Sequence, residues 1–346
     1  MATYQDDVEG GCPEAGGRPG QVAAPSRGLT STLAGMLAIV ALTWLLSLVV
    51  VAPIGFGLGL LALHDGLVGA VIAVIAWSGS AGLVLLRPVE ARFARLLFRV
   101  RRPSAAELER LDPVWRRACA RSGDDPAAYT LRIEEHHVVN AFALGGHFVA
   151  VTRMALDLPD DLLEAVIAHE LGHHHDLHPI AAMLGWWYLV PLEALGWCLR
   201  RVRAATAAMA RTYSSLRRRA GYISAGRAAG GALGVVGLLL LAGALVVVGV
   251  LLLVALCALW LPLWLVTSAS KILSAALSRA AEFAADRHAT ALGYGASLTR
   301  VLELFLHDGR HRPPRRRGVT ALLASHPPFQ ARIHAIQRSE AARPPG

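Results

Sequence analysis

The residues with the most chemistry to offer sit together in "HELGHHHDLH", His169 to His178, which packs five histidines, one glutamate and one aspartate into ten positions. Two histidines four apart on a helix share one face, with their Cβ atoms about 5–6 Å apart, a spacing that suits two legs of a tetrahedral metal site. Two pairs have that spacing: His169 with His173, and His174 with His178. Only the first has a glutamate directly after its leading histidine. In the H-E-x-x-H pattern that glutamate faces the water beside the metal and can take its proton. His169 and His173 are therefore the expected ligands, and Glu170 the expected base. A polar helix end with solvated histidines is the plainer alternative.

A metal-dependent hydrolase needs a third ligand from elsewhere in the chain. "SRAAEFAADRHA", Ser278 to Ala289, offers Glu282, with Asp286 one helical turn later. Glu282 can coordinate. Asp286 can bind the free ring nitrogen of a ligating histidine and so fix its tautomer. Without a metal the two acids would form an exposed helix face paired with Arg279 and Arg287.

Other elements must hold these residues in place. "SAAELERLDPVWRRACARSG" reads as an amphipathic helix capped by Ser104, with Glu107 completing a capping box. "YTLRIEE" and "HFVAVTRMAL" read as strands flanking "HHVVNAFALGG". The metal helix should begin near "DLPDDLLEAVIAHELGHHH", with Asp157 as its cap and Pro159 in the first turn. Gly172 leaves room for a neighbour to pack closely.

Much of the remaining chain is apolar. Only 17% of the 346 residues are charged, low for a soluble domain, and the apolar residues come in blocks. Two spans are expected near 31–53 and 66–86, each able to cross about 30 Å of hydrocarbon as a helix, with "APIGFG" and "HDG" turning the chain between them. Two further apolar segments lie near 179–199 and 230–268. Between them, residues 200–230 carry eight arginines and no acid. If 179–199 crosses once, that loop lies outside, against the positive-inside preference. If 230–270 forms a tight hairpin and 179–199 does not cross, every arginine-rich loop stays inside. The sequence leaves both open.

The net charge of +9 is almost all arginine, clustered beside apolar blocks as in "RPVEARFARLLFRVRR". That placement fits a cytoplasmic membrane surface rather than a nucleic-acid face, and no nucleic-acid-binding signature appears. Cys12, Cys119, Cys198 and Cys257 show no paired spacing, which argues against a disulfide framework or a cysteine metal site. Residues 1–28, rich in Gly, Pro and small polar residues, read as a disordered tail. Residues 29–86 then form a membrane helical pair, and 87–340 a domain that carries the metal motif and is interrupted by the two later apolar segments.

Four motifs in order resemble the M48 peptidases, the group with the HtpX heat-shock membrane proteases and the CAAX prenyl endopeptidases. They are "NAFALGGHFVAVT", "LEAVIAHELGHHHDLH", "SRAAEFAADRHA" and "SHPPFQARI", spread over roughly residues 105–340. The resemblance implies an α-helical membrane protein with an α+β, zincin-like (gluzincin) peptidase domain, mostly helical with a small sheet. It implies one zinc ion per chain on His169, His173 and Glu282, Glu170 as base, and Asp286 supporting a ligand. His178 falls where family members carry Asp or His, a supporting polar position. His174 and His175 match no role and read as surface groups. His326 matches a histidine suspected of stabilising the oxyanion, with capping beside Pro327 and Pro328 as the alternative. Arg332 could pair with a carboxylate near the site, and Asn140 could bind substrate backbone. "HFVAVT" would be the edge strand against which an extended substrate lies. Phe283 stands where relatives often have Tyr, so a hydroxyl is lost.

The resemblance thus implies a zinc metalloendopeptidase in the cell membrane, crossing it several times. Its active site would face the cytoplasm, and its substrates would be misfolded or membrane-associated proteins, with prenylated peptides a weaker option. The alternatives are a catalytically inactive zinc-binding scaffold and a sensor of the M56 type. The latter would need a large extracellular sensor domain that this sequence does not contain.

Overall fold

The computed structural model describes residues 27–136, 138–224, 230–307 and 326–342. The expected tail lies outside the described residues except for Arg27 and Gly28, which already belong to the first helix. The protein is mostly helical, with one small mixed sheet.

Helices α1 (Arg27–Leu63) and α2 (Gly66–Val84) form an antiparallel pair. The expected turn at "APIGFG" is absent. α1 runs through Pro53, and the chain reverses at His64 and Asp65. Asp65 caps α2 by accepting from Leu67 N (2.9 Å) and Val68 N (3.1 Å). The glycines are used for a close crossing instead. A Cβ on Gly59 would lie 2.6 Å from Gly69 Cα, and one on Gly55 would collide with Ala73 Cβ. This is the small-residue contact by which membrane helices approach.

α3 (Arg87–Phe98) follows at once, then β1 (Val100–Arg101) and α4 (Ala105–Ser122). The capping box on α4 is present: Ser104 Oγ accepts from Glu107 N, and Ser104 N donates to Glu107 Oε2 at 2.8 Å. Arg101 also grips both Glu107 oxygens, at 2.6 and 2.7 Å. That hydrogen bonding outweighs partial burial and lowers the Glu107 carboxyl from 4.5 to about 2. The sign follows from the depressed value: the contribution to stability is complete above about 4.5 and is lost as pH falls toward 2. Glu107→Gln is expected to melt below the wild type at neutral pH, with the gap narrowing as pH drops below 4.5. Paired thermal melts across that range check this.

The sheet contains β1, β2 (Thr130–Glu134), β3 (Ala141–Leu144) and β4 (Phe148–Thr152) in the order β1-β2-β4-β3. β4 runs parallel to β2 and antiparallel to β3. "HFVAVT" is therefore not an edge strand. Every residue of β4 is buried, between strands on both sides. The outer strand beside it is β3, cut from "NAFAL".

α5 (Asp160–His175) starts later than expected. Asp157 closes a 3₁₀ turn (Arg153–Asp157), and Pro159, still extended, supplies the first carbonyl to Leu162 N and Leu163 N. No side chain caps this end. Asp160 and Asp161 complement the helix dipole there.

α6 (His178–Ser224) and α7 (Gly230–Ala291) pack on each other and on α1. α7 is unbroken over 62 residues, about 93 Å at 1.5 Å per residue. The hairpin alternative for 230–270 is therefore not what the chain adopts, and Pro262 is carried within the helix. Among the described residues, three stretches are long and apolar enough to cross a membrane: Leu33–Leu63, Gly66–Val84 and Leu261–Ala291. α8 (Gly295–His307) and α9 (Phe329–Ala341) complete the domain. Its larger core joins α4, the sheet and α5 through Leu111, Trp115, Ile133, Val151, Leu163 and Ile167.

Candidate metal centre

Three helices meet at the site. α5 brings His169, Glu170 and His173, α7 brings Glu282 and Asp286, and α9 brings Arg332. His326 comes from the segment before α9. All but His326 are buried.

Gly172 lets α5 and α7 approach. A Cβ there would lie 2.9 Å from Ala285 Cα and 3.1 Å from His288 Cβ. Backbone cannot yield as a side-chain tip can, so Gly172→Ala must push α7 away from α5 and carry Glu282 with it. The expected cost is about 1–3 kcal/mol, as for overpacking elsewhere, with weaker metal retention. Thermal melts and metal content after dialysis against a mild chelator check both.

One ligand atom each from His169, His173 and Glu282 lies within 4.8 Å of the other two. His169 Nε2 is 3.6 Å from Glu282 Oε2, and His173 Nε2 is 3.6 Å from Glu282 Oε1. Donors about 2.0–2.2 Å from a tetrahedral zinc ion stand roughly 3.3–3.6 Å apart, so the spacing fits. Glu282 Oε2 is 2.8 Å from Arg332 Nη1 yet accepts no hydrogen bond. That guanidinium forms an ion pair with it, and a lone pair of the oxygen stays open to a further cation.

Charge makes the same point. Glu170, Glu282 and Asp286 are buried against one buried guanidinium, Arg332. With His169 neutral, as it must be to ligate, two negative charges remain, which one divalent cation balances. His169 feels this excess. Burial and Arg332 push it down, but Asp286 and Glu282 outweigh them and raise it to about 9. The centre calls for positive charge at the ring.

Around the three donors, Asp286 Oδ1 is 3.0 Å from His169 Nδ1. Arg332 donates to both Asp286 oxygens, at 2.6 and 2.8 Å. His326 Nδ1 lies 2.8 Å from Glu282 Oε1, with its side chain largely exposed. That contact with Glu282 raises the His326 imidazole above its ordinary value. His178 opens α6 with its ring 5.5 Å from that of His173. Burial, reinforced by His173, lowers His178 to about 4. Asn140 stands outside the cluster, just before β3, with its backbone tied to Thr152.

His174 departs from the surface role expected of it. It is buried against Tyr129, with Nε2 3.1 Å from the Phe148 carbonyl, and burial lowers it to about 4. His175 is exposed and meets Asp124 at 3.0 Å. A further residue was not singled out from sequence. Glu90 on α3 is fully buried, accepts from Gly146 N (2.8 Å) and lies 3.1 Å from His147 Nδ1. It ties the turn between β3 and β4 to α3. The signal available was its position as the one acid in an arginine-rich run.

Two histidines one turn apart and one acidic donor from a distant helix could hold a metal ion, with Glu170 directly after the first histidine. The sequence profile of peptidase family M48 matches residues 106–340, which takes in α4 through α9. The chain belongs to peptidase family M48. No curated protein matches it.

Proposed function

We propose that the protein is a zinc-dependent membrane endopeptidase that hydrolyses misfolded or membrane-associated proteins at the cytoplasmic face. The observation that carries this reading is the buried trio His169, His173 and Glu282, whose ligand atoms converge amid an excess of negative charge. Zinc, when bound, supplies carbonyl polarisation and a more acidic water.

The chain's own residues do the rest. Glu170 takes the proton of the attacking water and returns it to the leaving amine. Asp286 keeps the proton of His169 on Nδ1, so that Nε2 is free to ligate. His326, exposed at the edge of the centre, donates to the oxygen on which negative charge develops. An extended substrate pairs with the free edge of β3, with Asn140 at its start, which reads main chain more than side chains. His178 lends polar support behind His173. The apolar spans and the arginine-rich run directly after α2 support the membrane placement and the cytoplasmic side.

The test is zinc content and casein cleavage on the detergent-purified full chain. One zinc per chain is expected, with cleavage that stops on chelation and returns with stoichiometric zinc. Cleavage unaffected by complete zinc removal would sink the reading. Zinc without cleavage would mark an inactive scaffold.

A further inference from the structure

α3 starts three residues after span α2 ends. Its surface carries exposed apolar side chains, Leu96 (81% exposed) and Phe98, among arginines. Phe93 packs edge-on against Trp186 and Trp187 of α6, and Trp187 stacks on Trp77 of α2. Tryptophans gather where a membrane meets water, and an arginine-bearing helix with exposed apolar residues suits that boundary.

Beside α3 lies a cavity of about 340 Å³, lined by Ala91, Arg95, Val100, Arg101, Arg102 and Arg132. Its size falls within the range of small-molecule sites. Arg101 is neutralised by Glu107 and Glu135, both at 2.6 Å. The other three arginines are not. Arg95 donates to the Ala91 carbonyl, while Arg132 donates to the Leu131 carbonyl and lies over the Phe148 ring. Among the described residues, no carboxylate pairs with Arg95, Arg102 or Arg132. Burial, then the charges of Arg102 and Arg95, pushes the Arg132 guanidinium below its ordinary value. Like charges have been brought together around an open volume, at a cost that a bound anion would relieve.

We propose that this cavity binds the phosphate of an anionic lipid headgroup at the membrane boundary. The inference rests on the membrane reading above but not on catalysis. Guanidinium forks match phosphate oxygens in paired hydrogen bonds. A zwitterionic headgroup would bring its own cation against three unpaired arginines, so a net negative headgroup is selected. Through β1 and β2, which carry Arg101, Arg102 and Arg132 in or beside them, the bound lipid would fix the sheet against the bilayer surface.

The test titrates the detergent-purified full chain with dioctanoyl phosphatidylglycerol, dioctanoyl phosphatidylcholine and inorganic phosphate, followed by native mass spectrometry. One phosphatidylglycerol per chain is expected, bound about 10-fold or more tighter than phosphatidylcholine. That is the scale of losing a charge-assisted hydrogen bond. Arg95→Gln combined with Arg132→Gln should remove the preference with zinc content unchanged. Arg102→Gln, an exposed position, gives a second variant that should weaken binding several-fold should the double variant fold poorly. Equal binding of the two lipids, or an unchanged preference in the variants, would overturn the proposal. Inorganic phosphate binding as tightly as the lipid would make the occupant a free anion and overturn it too. Recovery of the chain from cells without detergent would instead defeat the membrane reading itself.

Discussion

Glu170→Gln is expected to keep one zinc per chain and to lower kcat/KM for a peptide substrate by about 10²–10⁴-fold, the range for loss of a general base. Gln has nearly the shape of Glu, so the packing of α5 should survive. Glu170 is buried beside the donor trio but is not one of the three atoms that converge. Its removal therefore takes away a proton acceptor and leaves the ligands. It also removes one of three buried negative charges, so the apo protein should be no less stable than wild type. The pairing of readouts is what discriminates. Zinc retained with cleavage lost assigns Glu170 to the proton transfer. Zinc and cleavage both lost would mean that Glu170 holds the centre together and that its role has been misread. Cleavage equal to wild type would exclude it from the chemistry.

How far the sequence led depended on how local each feature is. The His169–Glu170–His173 geometry is a property of one helical turn, so spacing alone placed three side chains on one side of α5. The Ser104–Glu107 capping box is equally local, and it formed. Glu282 and Asp286 lie more than a hundred residues away, and no periodicity joins them to α5. Only the order of four motifs suggested that α7 returns to the site. The strand order was not legible, because β3 has four residues and too little alternation to be recognised, so its neighbour β4 was taken for the edge. The glycines of "APIGFG" carry two meanings, a turn or a close helix crossing. The partner glycine that decides between them, Gly69, sits on another helix. Glu90 was hidden for the same reason: its partners Gly146 and His147 are distant in sequence, and an acid among arginines looks like a surface ion pair.

The second large effect is expected from Arg332, and it concerns stability rather than chemistry. Arg332 is buried and donates to both oxygens of Asp286 while standing 2.8 Å from Glu282. It is the polar anchor that docks α9 onto α7. Arg332→Ala would leave Glu170, Glu282 and Asp286 buried with no guanidinium among them. Removing one partner of a buried ion pair typically costs about 3–5 kcal/mol, so the metal-free variant should melt well below the metal-free wild type. Because a divalent cation supplies part of the missing positive charge, saturating zinc should raise the melting temperature of the variant more than that of the wild type. Adding Asp286→Asn removes one stranded charge, so the double variant should recover part of the loss instead of adding to it. Thermal melts of the four proteins, with and without zinc, give this cycle directly. Equal stability of Arg332→Ala and wild type without metal would show that the charge excess is dispersed by solvent. The centre would then select a cation by ligand spacing alone, without an electrostatic demand.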